Sequence, residues 1–198
     1  MVHLCLDFEG VLIPEIWQCL AKEVNSNDLM LTTQDLKDYD ELMSLRRKVV
    51  NEKNIKLSDI QKIVRNIDPF DGAQEFLDWA RSKFQVTIVS DTFYELAWPL
   101  VEKLGYPSII CHNMTVENDK ITGYKLRQPN NKQKVIEALQ SLKFKVFASG
   151  DSYNDINMLN SADHGFFFQA PSHIKEKYPH LETIKDHNEL KSKLENYV

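Results

Sequence analysis

Two short apolar runs, one near each end of the chain, stop on acidic residues, and this pairing restricts the fold more than any other feature. Val2-His3-Leu4-Cys5-Leu6 leads into Asp7-Phe8-Glu9-Gly10, and Lys145-Val146-Phe147-Ala148 leads into Ser149-Gly150-Asp151-Ser152-Tyr153-Asn154-Asp155. Short apolar runs bounded by glycine turns read as buried strands. Carboxylates at the C-terminal edge of such strands lie where parallel α/β sheets bind ligands. A turn with a helix N-cap at Asp151 or Ser152 gives the second segment equally well when it is taken alone. Its partnership with Asp7 and Glu9 favours a site.

Between these ends the pattern alternates in the manner of an α/β protein, with one interruption. Helical periodicity covers Glu15 to Val24, Tyr39 to Glu52 and Leu57 to Asn66, with Ser58 as the expected N-cap of the third helix. All three come before a second strand, a longer crossover than a single βα unit needs. Residues 14–69 are therefore expected to form a small helical cap, and residues 1–13 with 70–198 the core. The α/β rhythm resumes with a helix over 73–83, a strand Gln85 to Ser90, a helix over 94–104 and a strand Ser108 to Cys111. A hairpin follows over Met114 to Leu126, then a helix over 131–142, the Lys145 strand, a helix over 154–161, a strand Gly165 to Phe168 and a helix over 187–196. The expected fold class is α/β, a Rossmann-like parallel sheet core with a helical cap inserted after the first strand.

Composition narrows the function classes. A net charge of −5 with no basic stripe argues against nucleic acid as a partner. No apolar stretch approaches a membrane span, and the start meets Asp7 too early for a signal peptide, so a cytoplasmic protein is expected. Cys5, Cys19 and Cys111 are odd in number and far apart, which suits reduced core thiols. Six histidines without ligand spacing leave a hard, oxygen-bound ion as the expected metal. The oligomeric state is left open.

Four clusters follow a strand or open a helix: Asp7 with Glu9, Ser90 with Asp91, Lys132, and Asp151 with Asp155. These types suit phosphoryl transfer. A carboxylate nucleophile repels a phosphate dianion, so Mg²⁺ is needed to screen both, and a lysine and a hydroxyl hold the phosphoryl oxygens. In this order and in these contexts the clusters resemble the haloacid dehalogenase superfamily. The resemblance extends to its phosphoserine phosphatases, and in particular to the bacterial branch described as bifunctional, which also transfers the phosphoryl group to homoserine. It is carried by Asp7-Phe8-Glu9-Gly10-Val11-Leu12-Ile13-Pro14-Glu15-Ile16-Trp17, Asp38-Tyr39-Asp40, Val89-Ser90-Asp91-Thr92-Phe93-Tyr94-Glu95 and Gly150-Asp151-Ser152-Tyr153-Asn154-Asp155, and covers nearly the whole chain.

The resemblance implies a role for each matching residue. Asp7 would be the nucleophile that becomes a phosphoaspartate, and Glu9, where most of the superfamily has Asp, the general acid and base. Asp7, the main-chain carbonyl of Glu9, Asp151 and Asp155 would hold Mg²⁺, with Asp155 acting directly or through water. Ser90 and Lys132 would bind the phosphoryl oxygens, Lys132 being preferred to Lys134 as the match to the lysine that opens this helix. Glu15 would bind the ammonium of phosphoserine, and Lys48 or Arg46 its carboxylate. Asp91 and Asn154 would contact substrate or acceptor, although capping the following helix is the simpler role for Asn154. Trp17, Met43 and Phe93 read as packing residues. Two acceptors, water and homoserine, stay open, as does another small phosphomonoester as substrate. A receiver-type phospho-Asp switch uses similar residue types, but its acceptor follows a middle strand in a shorter chain.

Overall fold

A computed structural model of the chain describes all residues except 33, 34 and 37. Seven strands form one sheet in the order β4-β3-β2-β1-β5-β6-β7, parallel throughout except for the antiparallel β3–β4 pair. The strands are β1 Val2–Leu6, β2 Gln85–Phe93, β3 Ile109–Glu117, β4 Lys120–Lys125, β5 Lys145–Gly150, β6 His164–Phe168 and β7 Glu182–Ile184. β1 is central, and the order turns back on itself there: β2 and β3 build out on one side, β5 and β6 on the other. The crevice at such a reversal, outside the carboxyl ends of the strands, is where open α/β sheets take their ligands. Register places it, since Leu6 pairs with both Ile88 and Ser149, bringing Asp7, Ser90 and Asp151 to one edge.

Each face of the sheet has its own apolar layer. Leu4 and Leu6 pack with α4 (Ala73–Lys83), α5 (Tyr94–Lys103) and α9 (His187–Glu195), whereas Cys5 and Val89 face α6 (Asn131–Ser141) and α7 (Ile156–Ser161). Because β1 is covered on both faces, it has a continuous apolar run with no polar alternation.

Between β1 and β2, α1 (Ile16–Glu23), a 3-10 turn at Asp28–Met30, α2 (Tyr39–Glu52) and α3 (Leu57–Arg65) precede α4. Ile16, Trp17, Met43, Ile60 and Val64 belong to the same apolar cluster as Leu6 and Leu96, so these helices rest directly on the α4–α5 side of the core. Asp38 caps α2, its carboxylate accepting from the backbone N–H of Asp40 and Glu41.

Several local expectations are corrected. Ser58 does not cap α3, which begins one residue earlier; its N–H and hydroxyl donate to the Asp119 carboxylate at the β3–β4 turn, 2.9 and 2.6 Å away. That contact lies 61 positions along the chain, so local pattern carries no trace of it. β2 runs through Asp91 to Phe93 rather than ending at Ser90, and the strand at Ser108 and the first arm of the hairpin are one strand, β3. The helix expected from Asn154 opens as a 3-10 turn at Tyr153–Asp155 and continues as α7; Ser152 and Asp155 cap it, not Asn154. β7 and α8 (Ser172–Lys175) are unforeseen because three or four residues are too few to show a period.

Candidate active site

Asp7 leaves β1 with its N–H donating to Ser149 O at 2.9 Å, and its Oδ1 accepts from the Phe8 N–H at 2.7 Å. The side chain is buried, and its Oδ2 lies 2.9 Å from Lys132 Nζ. Lys132 enters from the first turn of α6 and is almost fully buried. Its ammonium also sits 2.7 Å from Asp155 Oδ1 and 3.9 Å from Asp91 Oδ2. The second oxygen of Asp155 accepts from the backbone N–H of Asp151 and Ser152 at 3.0 and 3.1 Å. Gly150 makes this possible, since a Cβ there would stand 2.3 Å from the Asp155 carboxyl carbon. Gly10 does the same for Asp151: its φ is +78°, and a Cβ would reach within 2.4 Å of the Asp151 carboxylate.

One carboxylate oxygen from each of Asp7, Asp151 and Asp155 lies within 4.8 Å of the other two. Among the described residues only Lys132 pairs with this cluster, and no cation lies within 4 Å of Asp151. The charge deficit bears on how tightly these groups hold their protons. Burial and then the Asp155 charge push Asp7 well above the usual carboxylate range, against the pull of Lys132. Burial and the same Asp155 charge push Asp151 up to about 7. Burial works against the Lys132 ammonium, but Asp155, Asp7 and Asp91 outweigh it and hold its pKa high. An all-oxygen donor set short of positive charge fits a hard divalent cation such as Mg²⁺. The Glu9 side chain is not one of the three; its Oε1 accepts from the Ile16 N–H, at the first turn of α1, at 2.8 Å. Burial raises Glu9 above its ordinary value, opposed by that N–H and by the charges of Arg46 and Lys132.

Ser90 is buried beside Asp7, and its Oγ accepts from the Thr92 N–H at 3.2 Å. Glu15, Trp17, Arg46 and Tyr39 close the cavity from the helical side. The Arg46 guanidinium is buried, lies 4.8 Å from the centre of the Trp17 ring and donates to Leu31 O at 3.0 Å. Its Nε has no hydrogen-bond partner, and no carboxylate among the described residues lies within ion-pair distance. Burial and the neighbouring Glu9 raise Glu15 to about 7. Lys48 is elsewhere: its side chain is 68% exposed and pairs with Glu52 at 3.9 Å. Lys134 likewise points outward to Glu137, 2.7 Å away. In both cases a shift of two residues turns the side chain about 200° around its helix. Asn154 Nδ2 donates to Asp91 Oδ2 at 2.9 Å, so Asn154, Asp91 and Lys132 meet at the neck between this cavity and an outer cleft of about 890 Å³.

The protein-family model for haloacid dehalogenase-like hydrolases matches residues 14–160, about three-quarters of the chain. The chain belongs to that family. Among curated members, it is 44% identical over 188 residues to a phosphoserine phosphatase of Pseudomonas syringae pv. tomato, covering 94% of this chain and 79% of that one. It is 43% identical to phosphoserine phosphatase ThrH of Pseudomonas aeruginosa, covering 94% and 92%. A crystal structure of phosphoserine phosphatase from T. onnurineus superposes with a TM-score of 0.75 at 22% identity, over 98% of this chain and 94% of that one. A substrate-bound phosphoserine phosphatase superposes at 0.74 with 21% identity, over 100% and 98%. At these identities the two structures support the hydrolase fold.

Sequence reasoning passed over several residues around this site. Trp17 does pack, but under the Arg46 guanidinium. The Tyr39 hydroxyl donates to Asp91 O at 3.2 Å, and His112 Nε2 stands 3.5 Å from Asp91 Oδ1. The Asp38-Tyr39-Asp40 motif pointed toward Tyr39. Nothing near His112 in the chain marked it.

Proposed function

We propose that this protein hydrolyses O-phospho-L-serine to L-serine and phosphate through a phosphoaspartate on Asp7. The observation that carries substrate choice is Arg46: a buried guanidinium with no carboxylate partner among the described residues, lining the same cavity as Asp7, is suited to a ligand carboxylate. Glu15 lines the cavity as well and would take the ammonium. The naming of the two Pseudomonas relatives supports the same substrate. In this reading residues 14–69 are a cap that selects the leaving group, and residues 1–13 with 70–198 are the core that performs the chemistry.

The Asp7 carboxylate attacks phosphorus, forming the Asp7 O–P bond as the serine O–P bond breaks. Glu9, whose hold on a proton burial strengthens, gives a proton to the departing serine oxygen. As a carboxylate it then takes a proton from water, which attacks phosphorus, releases phosphate and restores Asp7. Ser90 and Lys132 hold the phosphoryl oxygens. Asp7, Asp151, Asp155 and the Glu9 main-chain carbonyl would hold Mg²⁺, which when bound supplies the positive charge that offsets repulsion between the Asp7 carboxylate and the phosphate dianion. Homoserine in place of water would yield phosphohomoserine from the same phosphoaspartate. The buried, unpaired thiols Cys5 and Cys111 suit the reducing cytoplasm, where we place the protein.

The deciding experiment measures phosphate release from phosphoserine, other small phosphomonoesters and nucleotides with Mg²⁺, and phosphohomoserine formation when homoserine is added. Selective turnover of phosphoserine is expected; equal turnover across the panel would overturn the substrate assignment. Arg46→Ala is expected to raise KM for phosphoserine by about 10- to 100-fold, the cost of leaving a ligand charge unpaired, with little change in KM for a phosphomonoester lacking a carboxylate. Lys48→Ala should leave both unchanged.

Stability provides a reading of the metal site that does not depend on turnover. Asp151 titrates near about 7 in the folded protein and near about 3.9 when unfolded. Between those values the metal-free folded state binds more protons than the unfolded one, so it loses stability as pH rises through that window. Mg²⁺ competes with those protons. The gain in Tm on adding Mg²⁺ should be small near about pH 5 and largest above about pH 7. A gain independent of pH, or none, would count against these carboxylates as the metal's ligands.

A further inference from the structure

We propose that His112 is a positioning residue of this site, which sets the orientation of the Asp91 carboxylate between Lys132 and Asn154. The inference rests on the phosphoryl-transfer reading given above, in which His112 has no part. It begins in the sheet. Val89 pairs with Ile110 and Phe93 pairs with His112, so four steps along β2 are matched by two along β3. Ser90, Asp91 and Thr92 therefore stand opposite Cys111 alone, two residues in excess, and form a bulge at the carboxyl edge; bulges of this kind re-aim side chains beside sites. Asp91 therefore swings out of the regular ladder, and something other than sheet pairing must determine where its carboxylate points.

Four groups surround it. The Tyr39 hydroxyl holds its main-chain carbonyl, Asn154 Nδ2 donates to Oδ2 at 2.9 Å, and Lys132 Nζ lies 3.9 Å from the same oxygen. Among the described residues only His112 faces Oδ1, with Nε2 at 3.5 Å, a contact longer than a good hydrogen bond. The ring itself is tightly held. It is 4% exposed, packs against Phe93 at 6.1 Å between centroids, and its Nδ1 accepts from the Arg127 N–H at 3.1 Å. Arg127 is tied down in turn, its Nε donating to Cys111 O at 3.1 Å. With Nδ1 committed as an acceptor, the proton of the neutral ring sits on Nε2 and points at Asp91.

The consequence concerns Lys132, whose ammonium must serve Asp7, Asp155 and an incoming phosphoryl group together. Released from His112, the Asp91 carboxylate can turn and close its 3.9 Å separation from Lys132, drawing the ammonium away from Asp7. Loss of a group that orients another at a site commonly costs about 10- to 100-fold. His112→Phe is therefore expected to lower kcat for phosphoserine by about that factor, with KM changed by less than about threefold, because the loss falls on the transition state. His112→Gln, whose amide can reach the Nε2 position, should recover most of the rate; His112→Asn, too short to do so, should not. In an Asp91→Ala background His112→Phe should add no further loss, since residues acting as one unit are not additive.

A second readout needs no turnover. The nitrogen NMR spectrum of the wild-type protein with the ring neutral should show His112 as the Nε2–H tautomer. The Nδ1–H tautomer, a multiplicative loss in the double variant, or full activity of both His112→Asn and His112→Phe would overturn the proposal. Failure of the functional reading looks different: no variant, and not the wild type, would turn over phosphoserine, while the tautomer would still report whether His112 is set toward Asp91. If His112→Phe does not fold, the Gln–Asn comparison and the tautomer decide.

Discussion

Asp7→Asn is expected to lower steady-state phosphate release from phosphoserine by about 10³-fold or more, while the protein stays folded and still binds substrate. Asparagine has nearly the same shape, so the Phe8 N–H keeps an oxygen acceptor, but the amide is a poor nucleophile toward phosphorus. The substitution also removes one of three crowded acidic groups, and Lys132 keeps its contact with Asp155. Since burial and the Asp155 charge already work against ionised Asp7, thermal stability at neutral pH should hold or rise in the absence of metal. Acid-quench measurement of protein-bound phosphate that survives acid and is released by hydroxylamine, as an acyl phosphate is, tests the chemistry directly. The wild type should accumulate it and Asp7→Asn should not. Full activity in the variant would exclude Asp7 as the group that carries the phosphoryl.

Lys132→Met should produce the largest combined loss of stability and activity. Methionine fills a similar volume but leaves Asp7 and Asp155, both almost fully buried, without their shared counter-ion. Removing one partner of a buried ion pair costs about 3–5 kcal/mol, which at about 2–4 °C per kcal/mol for a chain of this size lowers Tm by about ten degrees. Activity should fall by about 10²- to 10³-fold, as when one preorganised donor is removed from a developing anion. The pH dependence has a definite sign. Without the ammonium, which pulls it down, Asp7 is held still further above its unfolded value, so the folded state takes up protons as pH falls, and the deficit against wild type should shrink toward about pH 5. Calorimetry across pH checks this. Lys134→Met is the control: its pair with Glu137 is exposed and screened by solvent, so its loss should barely move Tm. A Tm loss as large for Lys134→Met as for Lys132→Met would refute the assignment of the buried role to Lys132.

These two lysines show where reading the chain runs out. Both fall in Asn131-Lys132-Gln133-Lys134, and either could open the helix with its charge toward the sheet edge. Choosing between them from the letters required a resemblance to other proteins. In the folded chain the packing of Val135 and Ile136 against Cys5, Val89 and Val146 sets the rotation of α6, and that rotation turns Lys132 inward and Lys134 out. Arg46 and Lys48 repeat the lesson on α2. The charge pattern marked a basic stretch, but the burial of Leu42, Met43, Val49 and Val50 determines which cation reaches the cavity. The Ser58 cap failed for a related reason, since a short-range preference lost to a contact with Asp119 on the far side of the β3–β4 turn.

What the amino-acid order determined by itself was everything that depends on period and on position along the strand. β1, β2 and β5 announce themselves through continuous apolar runs, and the residues at their ends, Asp7, Ser90 and Asp151, reach one edge of any parallel sheet whose strands start in phase. Gly10 and Gly150 could be read as turns, though not as the clearances that let Asp151 and Asp155 approach the backbone. Only the tertiary structure decided which lysine neutralises the cluster, which cation of α2 reaches the cavity, and that His112 faces Asp91 across a bulge. Each of these is a matter of rotation about a helix axis or of register between strands. Both are set by burial against residues far away in the chain, so no local stretch of sequence contains them.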